Sequence, residues 1–191
     1  MTVLPIRELG DPVLRERARE LSAEELASPE VQRLIDDMIE TKRAANGAGI
    51  AAPQVGEPLR IALAEVEPDN PRYPYKPPIP LTVFVNPRLE PLDDETATIN
   101  EGCLSIPNLR GELERYVNVR VTYLDRDGVE RSDVRRGLTA GTFQHEVDHL
   151  DGILFVDRAD PRSLTTWEQY ERHGREDFER RARDLVERVG S

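Results

Sequence analysis

At 191 residues and 38% hydrophobic content, the chain is long enough for one domain whose core needs no disulfide or metal staple. A formal net charge of -11 argues against nucleic acid or an anionic membrane as the main partner, because phosphate contacts require clustered Lys and Arg. The single cysteine, Cys103, excludes an intrachain disulfide framework, and no apolar run approaches the roughly 20 residues of a membrane span. The opening MTVLPIRELGDPVLRER lacks an apolar h-region and reaches acidic residues early. It reads as neither secretory signal nor transit peptide, so a cytoplasmic location is expected.

Residues 28–46 predict a helix. Ser28 suits the N-cap and Pro29 the first helical position. Val31, Leu34, Ile35, Met38 and Ile39 follow at helical spacing, and Asn46-Gly47 supplies the stop. GAGIAAPQVGEP, from residue 47, is too rich in Gly and Pro for a regular element and predicts a structured loop. Residues 59–66 read as a strand. Residues 67–80, with six prolines, read as a surface excursion. Residues 81–90 read as a second strand, cut by Asn86-Pro87.

Within 112–124, YVNVRVTYL alternates apolar and polar residues, as a half-buried strand would. DRDG then turns the chain into a short partner strand at 129–134. Residues 138–150 predict a helix. Residues 163–189 predict a charged C-terminal helix, interrupted at His173-Gly174, with Trp167, Tyr170, Phe178 and Leu185 along one apolar stripe. No internal repeat is present. The order of elements suits an α+β domain rather than a repeating βαβ sheet.

The chemistry is carried by QHEVDHLDG, residues 144–152. On a helix, residues four apart share a face, so His145 and His149 can both aim an imidazole nitrogen at one metal. Glu146 lies about 100° further round and suits a base touching water at that metal better than a third ligand. A catalytic metal typically takes three protein ligands. Cys103, in NEGCLSIPN, is the candidate for the third, and two imidazoles plus a thiolate suit Fe(II), Zn(II), Co(II) or Ni(II). Asp148 and Asp151 are candidate hydrogen-bond partners for the imidazoles.

GAGIAAPQ (47–54), EGCLS (101–105) and QHEVDHLDG (144–152) resemble the three signature motifs of the peptide deformylases, in the family's order and at every fixed position. The resemblance covers about residues 1–158, leaving 159–191 as a C-terminal helical extension of the same domain. It implies an α+β fold with antiparallel strands packed around the metal-binding helix. It also implies removal of the N-formyl group from the initiator methionine of nascent polypeptides at the ribosome exit, with formate released. Cys103, His145 and His149 would then hold one divalent metal, natively ferrous iron, with zinc, nickel or cobalt in purified material. Glu146 would be the general base. Gln54 and the backbone N–H of Leu104 would stabilise the oxyanion.

For substrate, the edge around Gly47, Gly49 and Ile50 offers strand-like pairing to an extended peptide. Leu138, Gly141 and Thr142 share the face of His145 and form a candidate pocket for the methionine side chain. Arg110, seven residues past the cysteine, is a candidate donor to peptide carbonyls. Two other readings compete. An HExxH zinc peptidase would recruit Glu168 or Glu171 as third ligand, and a catalytically inactive relative would bind peptides only.

Overall fold

Two serines start the first two helices. In the computed structural model, which describes residues 2–70 and 72–190, Ser22 and Glu25 form a capping box at α1 (Ala23–Ala27). This short helix was not expected from the sequence. Ser28 accepts from the Val31 N–H at 3.3 Å and Pro29 opens α2 (Pro29–Ala44), matching the helix predicted at 28–46.

GAGIAAPQ is not purely loop. It contains the strand β1 (Gly49–Ala51), followed by a 3-10 turn over Ala52–Val55. Among the described residues eight strands divide between two sheets. The larger is ordered β1-β2-β3-β6-β7, with β2 (Ile61–Val66), β3 (Ile79–Pro91), β6 (Asn118–Leu124) and β7 (Glu130–Arg136). The smaller is β4-β5-β8, with β4 (Thr96–Cys103), β5 (Ile106–Tyr116) and β8 (Thr165–Thr166). Every neighbouring pair is antiparallel.

Three expectations change here. The break at Asn86-Pro87 is a bulge inside β3, where the register shifts between Val85 and Arg88. Asn86 adopts φ +49° and ties its side chain to the Leu21 backbone, donating to the carbonyl at 2.8 Å and accepting from the N–H at 3.0 Å. The strand expected over 112–124 is two strands in different sheets, β5 and β6, hinged at Val117. Residues 96–111, not read as strand, supply the β4–β5 hairpin that carries the cysteine.

Strand β2 explains why the core has two compartments. Its alternate residues Ala62, Ala64 and Val66 pack in one cluster with Ala140, Phe143 and Leu150 of α3 (Gly137–Leu150). Ile61 and Leu63 pack in another with Ile35, Met38 and Ile39 of α2. Period-2 alternation therefore buries both faces, and the alanines let α3 approach closely. Phe84 of β3 stacks on Phe143 at 4.8 Å between ring centroids. Because α3 is enclosed on nearly every side, its polar residues must find partners within the protein or a ligand. The C-terminal segment forms α4 (Trp167–His173) and α5 (Arg175–Val189), divided at Gly174 as expected. Tyr170, Phe178 and Leu185 pack with Leu138 and Ile99.

Glu65 points to the α2 side and binds two cations. It accepts from Lys42 Nζ at 2.7 Å and from Arg43 at 2.7 and 2.9 Å. Hydrogen bonds from Arg43, with help from Lys42, outweigh burial and hold its pKa down at about 2. A depressed carboxylate pKa stabilises the fold above the unfolded value, near 4.3, and the benefit fades as pH falls toward the folded value. After allowance for the half-exposed Arg43 it is worth about 2 kcal/mol. Urea unfolding of wild type and Glu65→Gln is expected to show a stability gap that is full above about pH 4.5 and roughly halved near pH 3.

Candidate metal centre and active site

The β4–β5 hairpin brings a sulfur to the two ring nitrogens of α3. Cys103 ends β4 and pairs with Ile106 across the turn residues Leu104 and Ser105. Its Sγ lies 3.2 Å from His149 Nε2, and the ligand atoms of Cys103, His145 and His149 all fall within 4.8 Å of one another. Tetrahedral bonds of about 2.3 Å to sulfur and about 2.0–2.1 Å to nitrogen place ligand atoms about 3.5 Å apart. Three electron-pair donors at this spacing, His149 buried and the other two half-buried, fit one divalent ion. A three-donor set also leaves a further coordination position, as in catalytic rather than structural sites.

The His145 tautomer follows from its neighbour. Glu101 Oε2 lies 2.8 Å from His145 Nδ1, so that nitrogen carries the proton and Nε2 is left to ligate. Burial raises the Glu101 pKa, but Arg115 and His145 override it and hold the group far below the usual carboxylate range. Burial and the neighbouring His145 push His149 well below its ordinary pKa, which favours the neutral ligand form. Arg115 grips both Glu101 oxygens at 2.9 Å and reaches Asp148 at 2.5 Å, and Asp148 also accepts from Arg158 at 2.9 Å. Asp148 therefore orients Arg115 rather than an imidazole. Asp151 accepts from Arg60 at 2.7 Å, away from both rings. The imidazole partner is Glu101, from the cysteine motif.

Gln54 is buried with a fixed amide. Its Oε1 accepts from the Ala51 N–H at 2.9 Å. That turns Nε2 toward Ser105 Oγ at 3.1 Å and Cys103 Sγ at 3.5 Å. The Ser105 N–H also approaches the sulfur, at 3.4 Å.

Glu146 is 4% exposed and its Oε2 is buried without a hydrogen-bond partner. Burial pushes its pKa up to about 7, against the pull of His145 and Lys76. Gly49 makes room for this carboxylate, since a Cβ there would stand 2.3 Å from Glu146 Oε1. Gly49→Ala is therefore expected to displace Glu146 and lower kcat about a hundredfold. Its far-UV circular dichroism should match wild type. Undiminished turnover would show that the carboxylate position is not critical.

A family profile described as polypeptide deformylase matches residues 3–164. The chain belongs to the peptide deformylase family. Its members are hydrolases that remove N-formyl groups. The chain is 40% identical over 158 residues to a peptide deformylase of Leptospira biflexa, covering 83% of this chain and 88% of that one. It is 44% identical to peptide deformylase 1A of Arabidopsis thaliana, chloroplastic/mitochondrial, covering 82% of this chain and 61% of that one. A class I type b peptide deformylase of Acinetobacter baumannii, solved with Met-Ala-Ser bound, superposes with a TM-score of 0.79 at 43% identity. That match covers 82% of this chain and 98% of the other.

Beside the metal ligands the enzyme has a cavity of about 440 Å³, within the range of small-ligand sites. Gly47, Gly49, Gln54, Leu104 and Glu146 line its inner side. Leu138, Gly141 and Thr142 line it from α3, as their shared face predicts. Gly141 is small of necessity, because a Cβ would meet Ile99 Cδ1 at 2.7 Å.

Ile50 is not brought to the cavity. Its side chain is fully buried in the α2 cluster. Ala48 O accepts from the Glu65 N–H at 2.9 Å, so by antiparallel alternation Ile50 turns its backbone to Leu63 while Gly49 faces the open sheet edge. The available edge groups are thus those of Gly49.

Arg110 lines the cavity but is not a surface arginine. It is 5% exposed, donates to Asn100 Oδ1 at 2.6 Å and to Asn100 O at 2.9 Å, and packs over Trp167 and Tyr170. Glu168 and Glu171 pair with Arg172 and Arg175 on α4 and α5, so neither supplies a ligand and the zinc-peptidase reading falls. Sequence reasoning missed Glu101 as the imidazole partner, Arg115 behind it, and Tyr73 and Lys76 on the cavity wall. Those last two come from the proline-rich excursion, whose composition announces only a loop.

Proposed function

We propose that this enzyme hydrolyses the formyl amide at the initiator methionine of nascent polypeptides, releasing formate and a free amino terminus. The observation that carries the reading is a Cys103–His145–His149 cluster with Glu146 and the Gln54 amide beside one cavity. Those three ligands would hold one divalent ion, ferrous iron in the cell. Once bound, the ion supplies Lewis acidity toward the formyl oxygen and lowers the pKa of water. Zinc, nickel and cobalt suit the same donors and would occur in purified protein, because a thiolate beside ferrous iron is open to oxidation.

The outward-facing N–H and C=O of Gly49 pair with the extended peptide. Gln54 Nε2, its carbonyl pinned by Ala51, donates to the oxygen on which charge develops, together with the N–H of Leu104. Neither donor brings a competing charge. Glu146 removes a proton from the attacking water. As the C–N bond breaks it returns that proton to the leaving nitrogen. The products are one formate and one amine.

In this reading residues 159–191 belong to the same domain as 1–158. The enzyme acts in the cytoplasm on chains leaving the ribosome, with no DNA or membrane partner. No helix among the described residues is long and apolar enough to cross a membrane.

An anaerobic assay of formate release from formyl-Met-Ala-Ser by iron-loaded protein tests the activity. Turnover is expected, and its absence with iron bound would leave only the inactive-relative reading. Cys103→Ala is expected to lose the metal by elemental analysis; full retention would remove the sulfur from the ligand set.

A further inference from the structure

The two segments outside the signature motifs meet over the cavity. Tyr75 from the proline-rich excursion packs edge-on against Phe178 of α5 with centroids 5.0 Å apart, and Arg72 stacks over Trp167 of α4. This arrangement holds Lys76 on the cavity wall. Its Nζ donates to Thr142 Oγ1 at 2.7 Å and stands 5.4 Å from the Tyr73 ring centroid. The Thr142 hydroxyl donates in turn to Leu138 O at 3.1 Å, so it can only accept from the lysine.

An ammonium has three N–H donors. Thr142 takes one, and the Tyr73 face is a weaker partner for another. Among the described residues no carboxylate pairs with Lys76. Burial lowers its pKa to about 8, opposed by Glu101 and Glu146, so it stays charged at neutral pH. A half-buried cation with an unused donor is costly, and the cavity is the direction from which an acceptor can come. Leu138, Gly141 and Thr142 are the wall proposed above for the first side chain of the substrate, and Lys76 is fastened to that wall.

We propose that Lys76 is a specificity-determining residue that donates to an acceptor atom near the end of the substrate's first side chain, extending the substrates to formyl-methionine sulfoxide peptides. The inference rests on the deformylase reading. A thioether sulfur is a weak acceptor, whereas a sulfoxide oxygen is a strong one. Norleucine has the same length and no acceptor. The ranking of these three side chains therefore reports the lysine directly.

The test uses the full-length, metal-loaded enzyme. The ratio kcat/KM is measured for formyl-Met-Ala-Ser, for both sulfoxide epimers of it, and for formyl-norleucine-Ala-Ser. Calorimetry then gives affinities for the corresponding deformylated tripeptides. At least one sulfoxide epimer is expected to match or exceed norleucine in wild type. Lys76→Met should lower the sulfoxide-to-norleucine ratio about tenfold or more in both readouts, with Lys76→Gln between. Wild type that processes and binds both epimers worse than norleucine would overturn the proposal without any variant. So would an unchanged ratio in Lys76→Met. Absence of turnover on every formylated peptide would instead refute the deformylase reading, while the binding arm would still report on Lys76.

Discussion

Glu146→Ala is expected to keep its metal and to lose about three orders of magnitude in kcat. The two halves of that result come from different atoms. The ion is held by Cys103, His145 and His149, and none of those donors depends on Glu146. Removing a positioned general base costs about 10²- to 10⁴-fold. The upper part of that range applies because the same carboxylate both takes and returns the proton. The substitution also deletes a buried oxygen that has no hydrogen-bond partner, so the fold loses no bond. Thermal stability should stay equal or rise slightly. Elemental analysis beside a formate-release assay checks both halves. Metal lost together with activity would mean that Glu146 supports the site rather than the proton transfer. Glu146→Gln refines the result: it keeps the shape in the tight space beside Gly49 but cannot accept a proton, so it should be as inactive as the alanine variant.

That centre was legible in the sequence because each part announces itself locally. Two histidines four apart need only a helix to converge, and the helix is visible in its spacing. The cysteine's partners were harder to see, because they are set by pairing across strands. Arg115 sits on β5 between the inward-facing Leu113 and Val117. An arginine at a buried strand position gives no sign of its partner, and β4 with the first half of β5 was not read as strand at all. The same pairing hid Glu101: only the hairpin register brings it to Arg115, and only the α3 packing brings it to His145 Nδ1. Asp148, which the helical pattern placed near the imidazoles, was recognised as a neighbour but given the wrong partner. Lys76 was not legible at all. Prolines set the path of its loop, and its position depends on Tyr75 meeting Phe178 from a helix about a hundred residues away.

Arg115→Met is expected to destabilise the protein by about 3–5 kcal/mol although the residue touches neither metal nor substrate. The side chain is 3% exposed and satisfies Glu101 twice and Asp148 once. Removing one member of a buried ion network leaves the others charged without compensation, and breaking such a pair costs that much. Asp148 keeps Arg158, whose exposed guanidinium is a weaker substitute, whereas Glu101 keeps only His145. The loss therefore falls on the carboxylate that orients a ligand ring. Metal affinity should drop about 10- to 100-fold, the usual effect of removing outer support from a ligating histidine. Urea unfolding and competition with a chelator measure the two losses separately. The double variant Glu101→Leu, Arg115→Met tells them apart. It removes the stranded charge, so stability should recover by more than additivity predicts, while metal affinity stays low because His145 Nδ1 still lacks its acceptor. Recovery of both would mean that Glu101 serves the fold and leaves the metal site indifferent.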